Sequence, residues 1–187
     1  MIRLLYNYYE DNNPVRKKEI DFCLRQNLSN PHINVIIVES ADKPRYDDMF
    51  GKLNRITNSD DINIICNSDI FFDETILLAE RFLRPRDVYA LTRWDYINEH
   101  NVKFFDRRDS QDTWMWRGKL ENVIGGFSLG KRGCDNRIAH EFRDAGYRIM
   151  NPSRSIKTYH VHTSNVRNYT QNDVVHGPYF HVDITSL

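Results

Sequence analysis

"INIICNSDIFFDE", Ile62 to Glu74, reads as a buried strand interrupted by a carboxylate. "INIIC" has the apolar, β-branched character of a strand covered on both faces; Asn67-Ser68-Asp69 breaks it, "IFF" resumes, and Asp73-Glu74 ends the run. Asp73 has a local explanation as the N-cap of "DETILLAERFL", with Glu74 at the positive end of the helix dipole. Asp69 has none of that kind. It stands where a buried strand ends, and in open α/β sheets ligands bind in the crevice outside the carboxyl ends of the strands. The competing reading is a turn in which Asn67 or Asp69 bonds its own backbone.

The flanking sequence alternates strand and helix. "IRLLYNYY" is short, apolar and aromatic, and "NPVRKKEIDFCLRQNL" follows with Asn13 as N-cap, Pro14 at the first helical position, and Ile20, Leu24 and Leu28 on one face with Phe22 nearby. "INVIIVES", residues 33–40, is a second buried strand and "YDDMFGKLNRITN" a second helix. After the interrupted run come "VYALTRWDY", a polar and aromatic middle from 97 to 124, a helix, Gly146 stop and strand in "GCDNRIAHEFRDAGYRIMNP", and a last strand in "IKTYHVH". Strand–helix repetition predicts an α/β domain with a largely parallel central sheet. No repeat, linker or low-complexity tract divides the chain, so its 187 residues are expected to form one domain.

Composition excludes several classes. Lys plus Arg and Asp plus Glu number 26 each, so there is no global positive field of the kind that binds nucleic acid. Cys23, Cys66 and Cys134 are odd in number and lack C-x-x-C spacing, which argues against a disulfide framework or zinc knuckle and for free thiols in a reducing compartment. The opening "MIRLLYNYYEDNN" reaches acids too early for a signal peptide, and nothing later approaches a spanning length. A cytoplasmic protein without a membrane span is expected.

"GGFSLG" and "GCDNRIAHEFRDAGYRI" together resemble the acceptor-side motif of nucleotide-sugar glycosyltransferases with the GT-A fold, especially family 2-like enzymes. In those a glycine-rich loop leads to G-E-D, a helix, and A-G-Y-R-I. The spacing from Gly133 to Ala145 matches without a gap, and the resemblance covers about residues 2–163 in family order, leaving 164–187 unassigned. It implies a compact GT-A-like, Rossmann-like sandwich. It also implies that Asn67-Ser68-Asp69 stands for the D-x-D that holds a divalent metal, that a histidine in "YHVH" completes the site, and that Asp135 is the base. The chain departs from the pattern at Asn67, the first acid of D-x-D, at Cys134, the Glu of G-E-D, and in "YNYYED", where a proline usually precedes Tyr-Asn.

The chemistry explains these residue types. Transfer from a nucleoside diphosphate sugar must stabilise a departing diphosphate, which a divalent Lewis acid does. One carboxylate with the phosphates suffices for Mg2+, and an imidazole ligand tilts the choice toward Mn2+, so Asp69 and His160 are the expected ligands. Alternation along "IKTYHVH" puts Thr158, His160 and His162 on one face, so either histidine fits; His160 is preferred because it follows Tyr159 as the family's histidine does. A carboxylate must take the acceptor's proton, and Asp135 fills that role while also suiting the first turn of its helix. For the nucleotide, a UDP-sugar foremost, the expected contacts are Tyr6, Asn7, Glu39 with Ser40, Lys52, Asn67 and Ser68, with Glu39 where an Asp usually accepts from uracil. Trp94, Asp112, Trp114, Gly125, Gly126 and His162 form the expected sugar-contacting set. Trp114 and Trp116 share a face at period two in "SQDTWMWRG", which fits either a stacking platform or two core tryptophans.

The function expected is metal-dependent, inverting transfer of a sugar to an acceptor left open among a glycan, a protein and a modified nucleobase. Two alternatives remain: a metal-dependent phosphoesterase or nuclease, against which Asn67 weighs because such sites cluster several acids, and a non-catalytic nucleotide-sugar-binding module, for which Asn67 and Cys134 speak.

Overall fold

The interrupted run belongs to two different sheets. In the structure, a computed structural model that describes residues 1–39, 43–164 and 172–187, the chain runs β1 (Ile2–Tyr8), α1 (Pro14–Ser29), β2 (Ile33–Glu39), α2 (Tyr46–Ile56), β3 (Ile62–Cys66) and β4 (Ile70–Phe72). A 3-10 turn (Glu74–Leu77) leads into α3 (Leu78–Phe82), then β5 (Asp87–Leu91), β6 (Trp94–Asn98), β7 (Asn101–Phe104), β8 (Thr113–Arg117), α4 (Cys134–Asp144), β9 (Arg148–Met150) and β10 (Thr158–His160). Ser40 lies outside the described residues, as do residues 165–171 of the C-terminal tail.

The main sheet has the order β2-β1-β3-β8-β5-β9 and the smaller one β4-β10-β6-β7. The main sheet is mixed rather than largely parallel: β8 runs antiparallel to both β3 and β5, while the other pairings are parallel. The reason is the connection. No helix separates β5 from β8, and a parallel neighbour needs a crossover, so the chain returns through the β6–β7 hairpin and enters reversed.

Alternation along the central strands feeds two cores. Leu4, Tyr6, Ile64 and Met115 join Cys23 of α1 on one face, whereas Leu5, Ile65, Trp114 and Trp116 meet Phe50 and Leu53 of α2 and Ile138 and Phe142 of α4 on the other. Asn13 caps α1 by accepting from Val15 and Arg16 N–H, Pro14 occupies its first turn, and Asp73 accepts from Thr75 N–H, all as the sequence predicts. The buried stripe of α1 is not the expected one, however. It consists of Arg16, Glu19, Ile20, Cys23 and Asn27, and Leu28 is exposed. The three cysteines are buried and unpaired, and no helix among the described residues is long and apolar enough to cross a membrane.

Candidate functional site

Asn67-Ser68-Asp69 is the crossing between the two sheets, and the local bonds show why it is polar. Asn67 donates through its backbone to the Asp112 carbonyl at 3.0 Å and through its amide to Asp112 Oδ1 at 2.8 Å. The Ser68 hydroxyl donates to the Asn7 carbonyl at 2.6 Å, and the buried Tyr6 hydroxyl bonds the Ser68 carbonyl. Asp112 reaches this edge because β8 is reversed: its amino end lies beside the carboxyl ends of β3 and β5, with Asp112 N–H on the Leu91 carbonyl at 3.0 Å. A turn is present, but as a backbone bond from Ile70 N–H to the Asn67 carbonyl at 3.2 Å rather than through a side chain: Asn67 spends its amide on Asp112, Ser68 braces the crossing, and the Asp69 carboxylate faces Arg16 and the two histidines.

Register then assembles the cluster. In the small sheet His160 pairs with Ile70 of β4 and with Asp95 of β6, which sets its imidazole between Asp69 and Asp95. Asp69 Oδ2 lies 3.1 Å from His160 Nε2, 3.4 Å from His162 Nδ1 and 2.8 Å from Arg16 Nη2. His160 Nδ1 lies 3.2 Å from Asp95 Oδ1, and the two imidazoles stack with centroids 5.4 Å apart. Thr158 shares their side but is buried, its hydroxyl donating to the Thr92 carbonyl at 3.0 Å.

Protonation follows from who can donate. Carboxylates only accept, so His160, with one at each ring nitrogen, donates from both and is an imidazolium. Burial opposes its charge, but Asp69 and then Asp95 raise its pKa to about 9. Burial would push the Asp69 carboxyl up, yet His160 and Arg16 hold it well below the usual carboxylate range. At His162 the closer neighbour of Nδ1 is Arg16 Nη1 at 2.9 Å, and because guanidinium only donates, His162 presents a lone pair there. Asp69 Oδ1 is buried without a hydrogen-bond partner.

The network extends across the cleft. Arg93 donates to Asp95 at 2.9 Å and to Asp112 at 3.1 Å. At the start of α4, after Gly133 in the left-handed conformation, burial and then the Asp112 carboxylate push the Asp135 carboxyl up to about 8; the Cys134 thiol contacts it at 3.2 Å. Carboxylates raised this way suit proton transfer near neutral pH.

Asn7, Asn67, Ser68, Asp69, Asp112, Asp135, His160 and His162 line a single cleft of about 1200 Å3. The remaining expected residues do not. Tyr6 is fully buried with its hydroxyl spent on backbone carbonyls; Glu39 is exposed at the end of β2. Lys52 lines a separate cavity of about 270 Å3 against α2, which among the described residues shares Asn7 and Pro44 with the cleft. Trp94 packs on Phe104 and donates to the Ser153 carbonyl at 2.9 Å, and Trp114 is a core residue stacked on Phe142. Gly125 and Gly126 lie against the start of α2, where a Cβ on Gly125 would sit 2.6 Å from Asp47 N; the glycine permits that close approach.

Sequence reasoning missed Arg16, Glu19, Arg93 and Asp95, which hold the cluster together. Glu19, 4% exposed, accepts from the backbone N–H and hydroxyl of both Thr163 and Ser164 and so ties the segment after β10 to α1. The available signal was the helical stripe 16, 19, 20, 23, 27, which places a charged pair on the buried side. Six basic side chains (Arg16, Lys43, Arg93, Arg107, Lys131 and Arg132) line the cleft against four aspartates, and Glu19, Asp95 and Asp173 beside it pair with three of them, so the lining itself carries a small positive bias in a chain that is neutral overall. That bias suits an anionic ligand.

Compared with known proteins, the chain matches no family model and no curated protein sequence.

Proposed function

We propose that the protein is a metal-dependent glycosyltransferase of GT-A type that moves a sugar from a nucleoside diphosphate donor, UDP-sugars first, to a hydroxyl acceptor with inversion. The observation that carries the reading is the convergence of Asp69, His160 and His162 with Asp135 in one positively biased cleft at the strand ends. Once His160 gives up one ring proton, the donor set suits a divalent cation: one carboxylate oxygen and two imidazole nitrogens lie within 4.8 Å of one another, and the buried Asp69 Oδ1 lacks a partner. Two imidazoles favour Mn2+ over Mg2+. A bound cation would supply Lewis-acid neutralisation of the departing diphosphate.

The protein's own residues do the rest. His160, held by Asp95, and Asp69 fix the ligand end of the cleft, and outer carboxylates of this kind orient ligating imidazoles. Basic side chains bind the phosphates. Asp135 takes the proton of the attacking hydroxyl; its raised pKa makes it a stronger base than an ordinary carboxylate once ionised. Asn67 has a bracing role toward Asp112 that an Asp there could not fill without a proton, which accounts for the departure from the two-acid pattern.

The test is a thermal-stabilisation screen of nucleotide sugars with and without Mn2+, followed by donor hydrolysis assays. Stabilisation by a nucleoside diphosphate sugar that requires Mn2+ is expected, since a ligand specific for the folded state raises stability by mass action. Phosphodiester hydrolysis without any nucleotide-sugar response would overturn the proposal.

A further inference from the structure

Arg16 sits on two of the side chains that a cation would need, through Asp69 Oδ2 and His162 Nδ1. Only 7% exposed, its guanidinium places Nη2 at 2.8 Å from Asp69 Oδ2 and Nη1 at 2.9 Å from His162 Nδ1, with Nη1 also 3.1 Å from Glu19 Oε2. A lone pair committed to an N–H is not free to coordinate. Two of the three side chains in the cluster are therefore held by one arginine.

The arrangement differs from a closed structural ion pair. Glu19 offers the guanidinium an anchor outside the cluster, and Glu19 is itself fixed from the far side by Thr163 and Ser164. The arginine thus has a second carboxylate to keep when it leaves the first.

We infer that Arg16 gates the metal site: its guanidinium occupies Asp69 and His162 in the metal-free protein, must withdraw toward Glu19 for a divalent cation to bind, and thereby lowers the affinity for that cation. The inference rests on the reading of Asp69, His160 and His162 as a metal centre. Its physical basis is competition for shared lone pairs, reinforced by repulsion between two cations a few ångströms apart in a poorly solvated site.

Calorimetric titration with Zn2+, a diamagnetic probe suited to carboxylate and imidazole ligands, tests it on the full chain. Arg16→Gln should bind Zn2+ about 10- to 100-fold more tightly than wild type, the fold-change that corresponds to one charge-assisted hydrogen bond. Equal or weaker binding by a folded Arg16→Gln variant would overturn the gate. Should that variant fail to fold, wild-type protein labelled with 15N-arginine decides the matter: the Arg16 guanidinium signals should move in step with Zn2+ binding, and signals that stay put while Zn2+ binds would refute the inference. Asp69→Asn separates the two layers. If it abolishes Zn2+ binding while Arg16→Gln leaves it unchanged, the metal centre stands and the gate falls; if wild type binds no Zn2+, both fall.

Discussion

Asp69→Asn should flatten the pH dependence of stability in the metal-free protein, because Asp69 is the largest cause of the raised His160 pKa. The folded-state value of about 9 lies above the ordinary 6.5. A group shifted upward on folding contributes stability that is fully present below its unfolded pKa and is lost as pH rises through its folded one. The window is therefore from about 6.5 to about 9, and the rise corresponds to about 3 kcal/mol, with little solvent discount for a side chain 12% exposed. Urea unfolding in EDTA, followed by tryptophan fluorescence from pH 6 to 10, measures it. Wild type should lose more than Asp69→Asn across that window, by up to about 3 kcal/mol since Asp95 and Asp112 remain in the variant, and the variant should be less stable at the acid end, where the carboxylate–imidazolium pair is intact in wild type. Asp135, raised to about 8, also loses stability with rising pH, but it is present in both proteins and drops out of the difference. Parallel profiles, within about 1 kcal/mol of each other, would refute the reasoning that Asp69 holds His160 charged.

Three other outcomes are expected. His160→Ala should weaken Mn2+ binding, read by calorimetry, more than His162→Ala, since His160 is oriented by Asp95 while the neighbours of His162 Nδ1 are Arg16 and, farther off, the co-ligand Asp69; the reverse order would transfer the principal ligand role to His162. Asp135→Asn should leave donor affinity nearly unchanged and lower turnover by about 10² to 10⁴, and the acid limb of wild-type kcat/KM should fall near pH 8 rather than in the usual carboxylate range. Retention of normal turnover would reduce Asp135 to a first-turn helix acid. Trp114→Ala should cost about 3 to 5 kcal/mol in urea unfolding, the range for a fully buried aromatic; a variant as stable as wild type but impaired in donor binding would restore Trp114 as a sugar platform.

Local physics was legible in the chain. Asn13-Pro14 and Asp73 act within one turn of themselves, so their capping roles could be read directly, and the apolar runs that became β1 and β3 are buried as expected, whereas the β-branched run of β2 lies at the sheet edge with Ile33 buried and Ile37 43% exposed, because among the described residues no strand follows it on that side. Asp69 also stood out because it interrupts a buried run at a segment end, whereas Asp135, which its position alone makes a first-turn helix acid, was singled out through the family resemblance. What the chain left open depended on contacts between distant segments. The direction of β8 followed from the absence of a crossover helix, and that reversal carried Asp112 to the cleft and Trp114 into the core. Trp94, Gly125 and Gly126 were displaced from the expected sugar site by packing partners in other elements, Phe104 and the start of α2. Arg16 and Glu19 were the least legible of all. A charged pair on a helix reads as solvated because isolated charges are costly to bury. Here Asp69 and His162, more than 50 residues away, together with Thr163 and Ser164 supply the compensating hydrogen bonds, and only the closed tertiary structure brings them within reach.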